Sequence, residues 1–239
     1  MSQTSPRLLG RVLALLILVV LITGVFAQGY VSNRLIVSVD AAATARNILA
    51  NTGLYRLGFT VFLIEMVAQV ATTALWYVLL RPVNRSIAVS AAFIDLAGGV
   101  MKAFARVFYI VPLWVLAPTA AGASPLLRSF TPEQVESLAL VLLQINNRGA
   151  NAALAFFGFS GLLRGYLIFK STFMPRWLGV LAMISGATWL SFLYPPLGSR
   201  MFWFAALFAL ASATVMILWL LFVGVSEEKW NDDRDNRKG

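Results

Sequence analysis

The chain contains no cysteine and no histidine. Disulfides and thiol chemistry are thereby excluded, together with imidazole-based catalysis, His-containing zinc sites and haem held by the usual imidazole. Charge is scarce too. Asp, Glu, Lys and Arg make up 12% of the residues, where a soluble domain carries about a quarter. Apolar residues make up 59% of the 239, and mean hydropathy is +0.79. Several runs approach the ~20 residues that carry a helix across a bilayer. The chain therefore reads as an all-α polytopic membrane bundle, not a soluble helical domain.

A formal net charge of +9 would suggest nucleic acid in a soluble protein. Here the basic residues mostly flank apolar runs, where they set topology and meet anionic lipid head groups. No basic stripe interleaved with aromatics occurs, so nucleic acid is set aside as a partner and membrane lipid takes its place. No cofactor is expected.

The first apolar run, RVLALLILVVLITGVFAQGY, follows Arg7 and Arg11 and reaches about Tyr30. Its basic front and the small Ala27 resemble a secretory signal, but its length favours a retained first span. Asp40 then stands as an N-cap before AAATARNILA, with Gly53 as the stop, which predicts a short helix at the outer surface. A second span is expected over about 54–80, ending in the tight turn RPVNR, and a third over about 86–116. A loop containing Pro118, Gly122 and Pro125 follows. TPEQ opens the next helix, with Thr131 as N-cap, Pro132 at N1 and Gln134 at N3. Helical pattern then persists to Lys170, too long for one span, and the polar INNRGAN at 145–151 suggests a break. Its expected products are an outer helix over about 132–145 and a fourth span over about 150–169. A fifth span over about 177–194 stops at Pro195-Pro196, and a sixth covers about 201–225. Residues 1–225 thus form a single transmembrane domain of six spans with two short outer helices. Residues 226–239, mixed in charge, are expected to be a disordered tail. Arg7, Arg11, Arg81, Arg85, Lys170 and Arg176 cluster on the side of the termini, which places both ends in the cytoplasm.

The third span carries Asp95, Lys102 and Arg106 in AAFIDLAGGVMKAFARVFYIV. Spacings of 7 and 11 return to one helix face, so the three form a stripe. Gly98 and Gly99 sit between them and open a close approach. The second span answers with Glu65 and Gln69. Folding the hairpin about Val83 puts Glu65, 18 residues before it, level with Lys102, 19 after it. The same reflection sets Asp95 beside Thr72 and Thr73, and Arg106 near Thr60. An unpaired charge at mid-bilayer costs at least ~2.5–3.5 kcal/mol, so an inward-facing Glu65–Lys102 pair is the cheapest arrangement. Arg164, near Lys170, is expected to snorkel to the interface. In the fourth span Gly158, Gly161 and Gly165, with the GxxxG spacing of GLLRG, offer a face for backbone-to-backbone packing.

Three stretches, DAAATARNILANTGLYRLG (40–58), LLRPVNRSIAVSAAF (79–93) and FFGFSGLLRGYLIFKSTFMPRWLGVL (156–181), resemble the bacterial membrane family catalogued as domain of unknown function 4386. The resemblance implies a multipass helical protein of the bacterial plasma membrane and assigns no activity. Members of that family often carry a histidine after the FFG segment. Phe159-Ser160 stands there in this chain, so such a histidine has no general role.

The residues select Glu65, Gln69, Asp95, Lys102 and Arg106 as a site for a small amphipathic or anionic ligand, a lipid among them. Lys102 and Arg106 would be the anion partners, Glu65 and Asp95 the counter-charges. Two other classes stay open: ion pairs that only fix helix packing, and an ion-coupled transporter, although broken spans and internal repeats are not evident. No nucleophile with an orienting partner is readable near Glu65, so the reading leans away from an enzyme.

Overall fold

A computed structural model describes residues 5–116 and 129–235. Among the described residues the structure is helices joined by turns, without strands, and six of the helices are long and apolar enough to cross a membrane. These are α1 (Pro6–Leu35), α3 (Thr52–Leu80), α4 (Arg85–Leu116), α5 (Pro132–Lys170), α6 (Arg176–Leu193) and α7 (Pro195–Phe222). Two short helices join them, α2 (Ala41–Ala50) and α8 (Glu227–Asp235). The expected loop residues Pro118, Gly122 and Pro125 lie outside the described residues.

Local chemistry accounts for most boundaries. Asp40 caps α2 by accepting from the Ala43 N–H at 2.8 Å. Gly53 is no stop: α3 begins at Thr52 and the glycine lies in its first turn. Asn84 opens α4 by accepting from the Ile87 N–H. Thr131 and Gln134 form a reciprocal capping box at the start of α5. The fifth span ends just before Pro195 and Pro196, as expected, and the two prolines occupy the first positions of α7, where a missing N–H costs nothing. The last turn of α6, Leu190–Leu193, is a 3₁₀ turn.

Two further expectations about the helices differ from the structure. The break at INNRGAN does not occur, and α5 runs unbroken for 39 residues, about 58 Å at 1.5 Å per residue. The segment holds no proline. Gly149 packs so closely that an added Cβ would lie 2.9 Å from Ala105 Cβ, so its lack of a side chain serves packing. The tail is helical over 227–235 as α8, and residues 236–239 of the expected disordered tail lie outside the described residues. Gly224 turns the chain with φ +79, and Trp230 is buried, donating its indole N–H to the Leu79 carbonyl at 3.0 Å.

The chain divides into two compact units, and the long helices contribute segments to each. One unit comprises the chain up to Leu21, Val67–Val100 and the chain from Ala152 onward. Its core gathers Leu13, Trp76, Leu79, Leu80, Leu167, Leu178, Leu220 and Trp230. Within it α5 and α6 touch backbone to backbone: a Cβ on Gly179 would lie 2.5 Å from the Phe169 nitrogen, and one on Gly186 2.7 Å from the Gly158 carbonyl. The small-residue face of Gly158, Gly161 and Gly165 thus packs as its spacing suggests. Gly98 lets α4 approach α5 in the same way, with a Cβ there 2.8 Å from Phe156 Cβ, whereas Gly99 faces open space.

The second unit comprises Ile22–Met66 and Met101–Asn151. Its core is aromatic: Tyr55 and Tyr109 stack with ring centres 4.5 Å apart, and Phe62 meets Tyr109 edge-on. The Tyr55 hydroxyl donates to the Tyr109 carbonyl. Here α1 departs from regular geometry, with Val25–Ser32 wound as a π-helix. The Thr44 hydroxyl bonds both backbone groups of Val37, and Asn47 donates to the Leu35 carbonyl, tying α2 to the end of α1.

Candidate functional site: two buried polar clusters

In the second unit, one face of α3 presents Phe62 and Glu65, three residues apart. One face of α4 presents Lys102 and Arg106, four apart. Both spacings stack side chains on a helix. Lys102 Nζ lies 2.5 Å from Glu65 Oε1, the pairing that the hairpin register predicts. Thr60, which the register sets near Arg106, is exposed and bonds its own helix at the Arg56 carbonyl. The guanidinium sits instead with Cζ 3.5 Å from the Phe62 ring centre, and its Nη1 donates to Asn146 Oδ1 on α5 at 3.1 Å.

That cluster is not closed. Arg106 is only 3% exposed, yet its Nε has no hydrogen-bond partner among the described residues, nor has Glu65 Oε2. The three ionisable groups together carry one formal negative and two formal positive charges. The π-helical segment begins beside them: a Cβ on Gly24 would lie 3.4 Å from Glu65 Oε1.

The first unit holds Asp95, 1% exposed, in a different setting. Its Oδ2 accepts from Gln69 Nε2 at 2.9 Å and from the Thr73 hydroxyl. Its Oδ1 accepts from the Ser160 hydroxyl at 2.8 Å and from Arg164 Nη2 at 3.1 Å. Four donors from α3 and α5 thus saturate one carboxylate on α4. The void beside it measures about 10 Å³, room for a single water at most.

Of the five residues selected by sequence, Glu65, Lys102 and Arg106 fall in one cluster, Gln69 and Asp95 in the other. Arg164 does not snorkel but pairs with Asp95, because Ser160 and Arg164 are four residues apart on the α5 face that meets α4. Sequence reasoning passed over Ser160 and Asn146. Both were legible only as polar residues in an apolar helix, a weak signal until the facing helix is known.

Residues 12–224 match the family described as Domain of unknown function (DUF4386). The chain belongs to this family. No curated protein and no solved structure is detectably similar to it. The DUF4386 match spans both clusters and all six apolar helices apart from the first turns of α1, and it names no activity.

Proposed function

We propose that this DUF4386 protein is a multipass protein of the bacterial plasma membrane, with both termini cytoplasmic, that binds a small anionic or amphipathic ligand, a lipid among the candidates. Lys102 and Arg106 supply the attraction and Glu65 holds Lys102 in place. Asp95 and Gln69 join helices and do not meet the ligand.

The observation that carries this reading is the excess of buried positive charge at Arg106. A buried guanidinium that no carboxylate bonds among the described residues, and that shares Glu65 with Lys102, is expensive. The Phe62 ring offsets about 0.5–2 kcal/mol of that cost, and a bound anion would offset far more. Against it stands a structural role for the buried charges, favoured by the four-donor shell of Asp95.

Native mass spectrometry of the purified protein tests the proposal, comparing wild type with a Lys102→Gln, Arg106→Gln variant. A molecule retained by wild type and lost from the variant is the expected result. If neither sample carries one, the structural role takes over.

A further inference from the structure

Beside the Arg106 cluster, within the second unit, opens a crevice of about 80 Å³. That is several times the roughly 10–15 Å³ that one water needs. Its polar lining includes Gln28 and Ser32 from the π-helical stretch of α1, Asn33 just after it, and Gln144, Asn146 and Asn147 from α5. Among the described residues, no acidic or basic side chain lines it. Asn146 belongs to both places. Its Oδ1 accepts from Arg106, and since a guanidinium only donates, the amide nitrogen is left to donate elsewhere. Arg106 thereby polarises the wall of the crevice without entering it.

We infer that this crevice is the head-group site of the ligand: it takes an oxyanion, held by side-chain amides and drawn by Arg106 from behind Asn146. The inference rests on the anion-binding reading above and adds to it the place and chemistry of recognition. Amide donors match the acceptor-only surface of a phosphate, the Ser32 hydroxyl being committed to the Ala27 carbonyl, and a lining without carboxylates among the described residues does not repel it. The π-helix fits this role. Its i→i+5 bonding widens α1, a departure frequent at functional sites, and Gln28 and Ser32 from it line the same opening. The INNRGAN segment then makes sense as the polar face of an unbroken helix. A phosphate of this kind arrives either as a lipid head group or as a free anion.

The test uses full-length protein in nanodiscs. One arm compares phosphatidylcholine alone with phosphatidylcholine plus phosphatidylglycerol, reading bound lipid by native mass spectrometry. The other adds inorganic phosphate to the phosphatidylcholine discs and reads the melting temperature. Gln144 and Asn147 are exposed, so a Gln144→Leu, Asn147→Leu variant should fold. Its binding is expected to fall about tenfold, the loss of a charge-assisted hydrogen bond. Retention of phosphatidylglycerol identifies a lipid source, and a phosphate-induced rise in melting temperature identifies a free anion. If the leucine variant binds like wild type while Lys102→Gln, Arg106→Gln does not, the anion reading stands and the crevice is not its site. If wild type binds neither probe, both fall. An independent measurement exploits the lack of cysteine: Asn147→Cys creates the sole thiol, and its maleimide labelling should slow when the effective probe is present. Labelling indifferent to both probes overturns the assignment.

Discussion

Lys102 Nζ meets Glu65 Oε1 at 2.5 Å while the other oxygen of the same carboxylate stays buried without a partner among the described residues. The pair is therefore lopsided. Glu65 bonds Lys102 and also attracts Arg106, so the two cations share one carboxylate.

Glu65→Gln should accordingly be the costlier single change. It leaves two cations close together with no carboxylate, and breaking a buried pair from one side costs about 3–5 kcal/mol. Lys102→Gln leaves Glu65 with Arg106 nearby and should cost less. Joint replacement of Glu65 and Lys102 by methionine should recover most of the loss, because no charge is then stranded within the pair. Thermal unfolding in detergent, followed by tryptophan fluorescence, gives the order. A larger loss for Lys102→Gln would mean that Glu65 is not the group on which the cluster depends.

The Asp95 shell predicts graded losses. Ser160→Ala removes one of four donors and leaves three, so a loss near 1–3 kcal/mol is expected. Asp95→Asn strands Arg164 and turns an all-acceptor group into one that must also donate towards four donors. It should exceed any single donor deletion. If Asp95→Asn melts no lower than Ser160→Ala in the same detergent, the carboxylate is not the organising group.

What the sequence could reveal depended on distance along the chain. The α3–α4 hairpin is short and its turn is marked by RPVNR, so reflection about Val83 placed Glu65 on Lys102 and Asp95 beside Thr73. Contacts from α5 could not be placed this way, since no short turn fixes its height against α4. That is why Asn146 and Ser160 were passed over and Arg164 was expected at the interface. INNRGAN differs for another reason: it is polar without being a break, since nothing in it prevents a helix and Gly149 serves packing. The tail misled because composition reports average solubility, while one tryptophan suffices to dock nine residues.

Glycines on α5 and α6 offer a test with an internal control. A methyl at Gly179 would lie 2.5 Å from the Phe169 nitrogen and 2.6 Å from the Gly165 carbonyl, backbone atoms that cannot swing aside. Gly179→Ala must push the helices apart and should lower the melting temperature sharply. Gly99→Ala meets nothing within 4 Å. It should be neutral or stabilising by up to about 1 kcal/mol, the helix-propensity gain of Ala over Gly. Equal effects at the two positions would deny the close approach of α5 and α6.

The docking of α8 gives a prediction about local order. The last carbonyls of α3 have no partner within that helix, and the Trp230 indole N–H satisfies the one on Leu79. Around that bond Trp230 packs in a core with Leu79, Val83, Phe173 and Val225. Further ties run from the Ser5 hydroxyl to Glu227 and from the Thr172 N–H to Asp233. Most of these ties are exposed and worth little, so the tryptophan carries the attachment. Trp230→Ala should release residues 227–235 to fast amide exchange while the rest of the chain keeps its protection. Trp230→Phe keeps most of the apolar area and loses only the N–H, so exchange should rise by a smaller factor, about fivefold for one hydrogen bond near 1 kcal/mol. Gly224→Ala should loosen the same residues from the other side, because a non-glycine residue at φ +79 costs about 1–2 kcal/mol. Hydrogen exchange read by mass spectrometry separates the three variants. Protection of α8 that survives Trp230→Ala would mean that the polar ties hold the helix and that the buried indole is secondary to them.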